Sequence, residues 1–373
     1  MTLFVVYLLC LVFYLFGNQF NFTSKIRYND GTTYFVKRGS SFFFWLIFFV
    51  LTFISAFRQG FVDTNTYRNI YTSVGTNFSM VLSDDLRVES GFKFICYLLN
   101  FVSNNSQILL IVISILINFS IFKMIDKYSE NRFFSSFIYL CSIYLTTMNT
   151  IRQYMVVAVL ILSIPLLIKQ KKIVFMGIVL ALSTIHSTSI FAGLIMIICC
   201  DKFINKKMII LVGLLLILAI LPSDTFFNIL KTAEIKDYSD MYQDLNKSGV
   251  SILRLLVQVI PVLLSLIYYL FGIFKKNKEI SLEYSFFMNL NIINMIIYIL
   301  ATKNNYLARL SIYFEFVSIL TIPFLIRKLI KKDQIYIANL ITIVLYSIYF
   351  YFAVSAFGNN SIAALRPIFL GGN

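Results

Sequence analysis

Charge and metal-ligating side chains are scarce in this chain: one histidine, five scattered cysteines, and only 13% charged residues among 373. The cysteines (Cys10, Cys96, Cys141, Cys199 and Cys200) are odd in number, lie in apolar stretches and lack metal-ligand spacing. That excludes a disulfide framework and a zinc site, and leaves them as small buried hydrophobes. Acid is scarcer than base, with 17 Asp and Glu against 32 Lys and Arg, a formal charge of +15. In a soluble domain this imbalance would point to nucleic acid. Here the basic residues stand in short runs between apolar segments, as topology signals do, so no nucleic-acid partner is expected. What the chain has in abundance is hydrocarbon: 59% of residues are hydrophobic, with 39 Phe and 23 Tyr, and the mean hydropathy is +0.82. No soluble core needs so much. The chain is expected to be an all-α polytopic membrane protein, a single integral membrane domain over residues 1–373.

Apolar segments run at about 3–17, 41–57, 107–122, 133–147, 150–168, 173–185, 188–200, 208–221, 251–274, 283–301, 305–326 and 335–354. About twelve crossings follow, with 11–14 compatible, because several segments fall short of the roughly 20 residues that span a bilayer. The first lacks a basic start and a small-residue cleavage site, so it reads as a retained helix. FKFICYLLNFV, residues 92–102, is too short to cross and reads as interfacial or re-entrant. The stretch 173–200 lies between KQKK and DKFINKK, both basic, and is expected to fold back at His186-Ser-Thr-Ser as a hairpin.

Charge orients the stack. With the N-terminus outside, the inner connections are KIRYNDGTTYFVKR, KMIDKYSENR, KQKK, DKFINKK, KKNKE and RKLIKKD, which hold 20 of the 32 Lys and Arg. The outer side receives the longer, more acidic loops, about 58–106 and 222–249, and both termini. Against that rule, Arg58, Arg152, Arg309, Arg366 and the lone His186 fall at outer ends of apolar segments. Arginine near lipid is costly without a partner or a wet cavity, so several gathered at one face mark a site. The ligand that fits is a multiply charged anion, above all a diphosphate, which matches the guanidinium fork.

The neighbouring residues come in ordered strings: SAFRQGFVDTNTYRNIY with Asp63 and Tyr67 one helical turn apart, VESGF with Glu89, NTIRQYMVVAV with Arg152 and Gln153, STIHSTSI, and NNYLARLSIYFEF with Arg309 and Tyr313. Over residues 55 to about 316 this order resembles the Wzy-type bacterial surface-polysaccharide polymerases, in particular the EpsG-like branch. The resemblance implies a GT-C-like architecture and transfer of a glycan from undecaprenyl diphosphate onto the non-reducing end of a lipid-linked repeat unit. The site would face outward from the bacterial cytoplasmic membrane, and a chain-length regulator is a possible partner. On this reading Arg152 and Arg309 grip the donor diphosphate, Arg58 or Arg366 assists, and Asp63, Glu89 and His186 are the base candidates. Tyr67 and Tyr313 are placed to stack on a sugar, and Gln153 adds a polar contact. Preorganised arginines serve the leaving group, so neither metal nor cofactor is required.

Glu315, far inside an apolar segment, needs a partner. Arg254 and Asn291 are available, with Gln258 and Asn294 nearby, as a polar clasp bracing the segment that carries Arg309. Two other functions remain open. An O-antigen ligase would need nearly the same arginines. A lipid-linked glycan flippase would instead show charges throughout the bundle and a two-half repeat, of which the sequence has no sign.

Overall fold

Each of the twelve apolar runs is helical in the computed structural model, which describes residues 2–19, 22–27, 33–86, 88–221, 250–274, 280–303, 305–358 and 365. Helix α1 (Thr2–Gln19) and α2 (Ser41–Ala56) are joined by two strands, β1 (Phe22–Arg27) and β2 (Thr33–Arg38). The strands pair antiparallel with Phe22 opposite Arg38, so the all-α expectation is corrected by one hairpin. The connection after α2 carries α3 (Thr64–Val74), α4 (Phe78–Leu82) and the amphipathic α5 (Ser90–Asn100). Then come α6 (Gln107–Tyr128), α7 (Arg132–Ser142), the single turn α8 (Tyr144–Thr147), α9 (Ile151–Ile168), α10 (Lys172–Ser183), α11 (Ser189–Cys199) and α12 (Lys206–Ile220). The last third holds α13 (Ile252–Phe274), α14 (Leu282–Ala301), 3-10 turns at Asn305–Tyr313 and Glu315–Val317, α15 (Ser318–Leu329) and α16 (Ile335–Ala356).

Among the described residues, five helices are long and apolar enough to cross a membrane: α6, α9, α13, α14 and α16. A sixth span results if the 3-10 turns and α15, bent by 48°, count as one. Helices α2, α10 and α11 are apolar but shorter.

Two segments expected to be single helices are broken, and hydroxyl groups explain both breaks. Around Ile143, Thr146 and Thr147 donate to the carbonyls of Ile143 (2.7 Å) and Tyr144 (2.6 Å). Around Phe314, Ser311 donates to the Ala308 carbonyl (2.6 Å). Such local bonds offer carbonyls an alternative to the helical ladder and tighten or bend it. Glu315 therefore stands at a bend, not ten residues into a straight helix.

Helices α9 and α14 form the centre: 72% and 83% of their apolar windows are buried, against 28% for α13 and 17% for α16. Around them α6 packs on α2 and α9, α13 on α14 and α15, α12 on α14, and α1 and α16 on α7. Hydrogen bonds between side chains join the central helices. Asn294 donates to Gln258 (2.7 Å), Asn291 to Thr321 (2.8 Å), and Tyr139 to Asn118 (2.8 Å). Amide and hydroxyl pairs of this kind hold helices together where lipid supplies no hydrophobic drive.

The basic connections contact one another. Arg327 and Lys328 pair with Glu130 at 3.3 and 3.7 Å, and Lys172 and Lys207 pair with Asp201 at 3.5 and 3.6 Å. Arg152, at the start of α9, and Lys169, just past its end, therefore lie at opposite ends of the bundle.

Helices α10 and α11 pack side by side as the expected hairpin, with Gly193 of one against Val179 of the other. A β-carbon there would lie 2.5 Å from Val179. Gly193→Ala is expected to lower stability by about 1–3 kcal/mol through overpacking. Gly177→Ala in α10 has nothing within 4 Å and is expected to leave stability unchanged or raise it. Thermal melts of the purified variants check both.

Candidate functional site

The site is assembled where α5 docks against the break between α10 and α11. The Gly91 amide donates to the Thr184 carbonyl at 2.7 Å, and a β-carbon at Gly91 would lie 2.6 Å from that same oxygen. Only glycine permits so close an approach. It delivers Glu89, just before α5, to the lone histidine. The Glu89 carboxylate accepts from His186 Nδ1 at 2.9 Å and from the Ser187 amide at 3.2 Å. Its other oxygen accepts from Arg152 Nη1 in the first turn of α9. Arg152 also hydrogen-bonds the buried hydroxyl of Tyr67 on α3, whose ring meets Phe92 edge-on at 5.8 Å.

Burial pushes the Glu89 carboxyl up, but the hydrogen bond from His186 and the charge of Arg152 outweigh it and hold the group below the ordinary 4.5. Asp63, half-buried at the start of α3, shows the opposite balance. Burial raises it above its usual range, and Arg309 and Arg152 only partly offset the rise. Burial likewise raises Tyr67 against the same two arginines. Arg152 and Arg309, distant in sequence, thus act on the same two residues. A carboxylate that accepts from Nδ1–H fixes the histidine tautomer and puts the ring's basic lone pair on Nε2.

The bend near Phe314 is tied to this cluster by Tyr313, whose hydroxyl lies 2.8 Å from that of Thr188. Arg309, exposed, lines a cavity of about 280 Å³ together with Arg254, Tyr298, Glu315 and Tyr349. The partners of Glu315 are not those expected. Its oxygens accept from Tyr298 (2.6 Å) and Ser311 (2.7 Å), with the Tyr154 hydroxyl at 3.5 Å. The clasp through Arg254 and Asn291 is corrected in part: Asn291 bonds Thr321 instead, while Arg254 lines the same cavity as Glu315 and meets it through charge rather than a hydrogen bond.

Other candidates stand apart. Arg58 is 1% exposed. Its guanidinium donates to the Thr64 hydroxyl (3.1 Å) and to the carbonyls of Met148 (3.3 Å) and Ser55. It therefore joins α2, α3 and the turn before α9 behind the site, rather than facing a ligand. Arg68, unremarked in the sequence, donates to the Arg58 carbonyl (3.2 Å) and to Gln107 (2.8 Å). Gln153 is buried, and its side-chain oxygen has no hydrogen-bond partner among the described residues. Arg366 and the loop 222–249 lie outside the described residues. Among those residues, no three of His, Cys, Asp and Glu converge as metal ligands would. Sequence reasoning missed Tyr154, Tyr298, Thr188 and the Ser187 amide; nothing marked these tyrosines out from the other 21.

Comparison with protein families matches residues 41–365 to the EpsG family. The chain belongs to the EpsG family. Family membership and the apolar helices make it an integral membrane protein of polysaccharide biosynthesis, a glycosyltransferase-type enzyme with polymerase-type function. Asp63, Tyr67, Glu89, Arg152, His186, Arg309 and Tyr313 all fall within the EpsG match. No curated protein and no solved structure matches the chain.

The position of Glu89 has a pH consequence. A carboxyl held below its ordinary value stabilises the fold in full above about pH 4.5, and that stabilisation is lost as pH falls through the folded value. Glu89→Gln is expected to melt several degrees below wild type at about pH 7, and the two melting temperatures should converge in acid. A gap of constant size down to about pH 3.5 would show that the carboxylate's charge plays no part.

Proposed function

We propose that this EpsG-family protein is a polysaccharide polymerase that uses a polyprenyl-diphosphate donor. It transfers the glycan from undecaprenyl diphosphate to the non-reducing end of a second carrier-linked repeat unit. The acceptor enters at the outer face of the bacterial cytoplasmic membrane, in a GT-C-like bundle of about twelve crossings with both termini outside. One observation carries the reading: Glu89 holds His186 by one oxygen and Arg152 by the other, and Arg152 acts together with Arg309 on Asp63.

The arrangement suits glycosyl transfer. The acceptor hydroxyl gives its proton to His186 Nε2 as its oxygen bonds the anomeric carbon. The bond from that carbon to the phosphate oxygen breaks, and the diphosphate leaves with the electron pair. Glu89 stabilises the imidazolium that forms, and general-base help of this kind contributes about 10²–10⁴-fold. Arg309 and Arg152 stabilise the charge on the departing diphosphate, where preorganised cations act most strongly. Asp63, whose carboxyl is raised by burial, orients the acceptor. Tyr67 and Tyr313 flank the sugar. The bilayer holds both carriers, and a chain-length regulator is the expected protein partner.

The purified protein with a defined undecaprenyl-diphosphate oligosaccharide is expected to make a ladder of longer products. His186→Ala should lower the rate by at least about 100-fold. Arg152→Lys keeps the charge but loses the fork and should also fail while inserting normally. A ladder unchanged by both substitutions overturns the reading. A single transfer to lipid core, without a ladder, indicates a ligase. Sidedness is checked separately with an impermeant thiol reagent: cysteines placed at positions 186 and 204 are expected to label from opposite faces.

A further inference from the structure

The cavity of about 280 Å³ beside the Glu89 cluster contains groups that the transfer chemistry leaves unused. Its wall carries three charged side chains: the guanidiniums of Arg254 and Arg309 and the carboxylate of Glu315. Arg309 acts on Asp63 as well, and Glu315 accepts from the hydroxyls of Tyr298 and Ser311. Arg254 is differently placed. It is half-buried in the first turn of α13. Tyr349, Tyr298 and Glu315 are its electrostatic neighbours, yet no described residue hydrogen-bonds or ion-pairs with it. A guanidinium held among apolar helices with no hydrogen bond to a described residue is costly, and ligand sites are where such a cost is met.

The rest of the wall indicates which ligand. Thr146, Asn149, Thr150 and Tyr349 offer hydrogen-bonding groups beside aliphatic Leu145 and Ile312, the mixture that the hydroxyls and carbon faces of a pyranose require. The volume lies just below the roughly 300–1,000 Å³ of small-molecule pockets, room for about one sugar residue. Charge then selects among anions. A diphosphate brings at least two negative charges and would confront Glu315. The planar fork of arginine grips a carboxylate bidentately.

We propose that this cavity is a subsite for a carboxylate-bearing sugar of the glycan, with Arg254 as the residue that selects it. The assignment rests on the glycosyltransferase reading and gives it a substrate class, an acidic repeat unit. Arg309, shared between the cavity and the Asp63–Tyr67 group, places that sugar next to the reacting one.

Ligand-observed saturation-transfer NMR on the full-length protein in detergent tests this without turnover, so its outcome is independent of any product ladder. The probes are methyl β-D-glucuronoside, methyl β-D-glucoside and inorganic pyrophosphate. Wild type is expected to bind the glucuronoside at least about tenfold more tightly than the glucoside. Arg254→Gln should abolish that preference, and Arg254→Lys should retain part of it. Arg254→Lys also serves as the test variant if the glutamine form does not fold. Equal binding of the two glycosides by wild type overturns the proposal. So does pyrophosphate binding that depends on Arg254 while the glucuronoside shows none, which would assign the cavity to the carrier's diphosphate.

Discussion

The site rests on a shared carboxylate. Glu89 joins a histidine from the α10–α11 break to an arginine from the start of α9, and neither contact forms unless α5 reaches that break. The approach depends in turn on Gly91, whose missing side chain lets its amide meet the Thr184 carbonyl. A half-buried anion here takes a cation on one oxygen and an imidazole on the other, so its charge is met from both sides. It also sets the histidine tautomer, so the same contact that holds the segments together leaves Nε2 as the ring's acceptor.

Around this centre the arginines divide by partner. Arg58 is consumed by protein oxygens and acts as a rivet. Arg152 is shared between Glu89 and Tyr67. Arg309 and Arg254 border open space. Similar positions at helix ends thus carry different work, and the available acceptors decide which. A buried carbonyl cluster absorbs one guanidinium, a carboxylate orients the second, and a cavity wall holds the other two.

Much of this was legible in the sequence because it followed from polarity against an apolar background. The helical character of the apolar runs and the hairpin around His186 came from the hydrocarbon pattern, and the ordered polar strings holding Asp63, Tyr67, Glu89, Arg152 and His186 stood out against it through their resemblance to a family. The 3-10 bend at Phe314 was not legible, since it depends on Ser311 placing its hydroxyl within reach of both Glu315 and the Ala308 carbonyl. Neither was the burial of Arg58, because a sequence gives the position of an arginine but not the carbonyls that will face it. The strand pair Phe22–Arg27 and Thr33–Arg38 was passed over although Asn29-Asp30-Gly31 stands between its halves, a common hairpin signal. The basic residues there were taken only as markers of sidedness. Glu315 found tyrosines in place of Arg254 and Asn291 because three-dimensional proximity, not helical spacing, chose its donors.

The cluster draws on widely separated segments, from Asp63 through Glu89, Arg152 and His186 to Arg309. During synthesis, the first four are inserted while Arg309 is still being translated or waits in the ribosomal tunnel. A nascent chain therefore has Glu89, Arg152 and His186 but still lacks Arg309. The cluster is completed late, only when the final third of the chain has threaded into the bilayer.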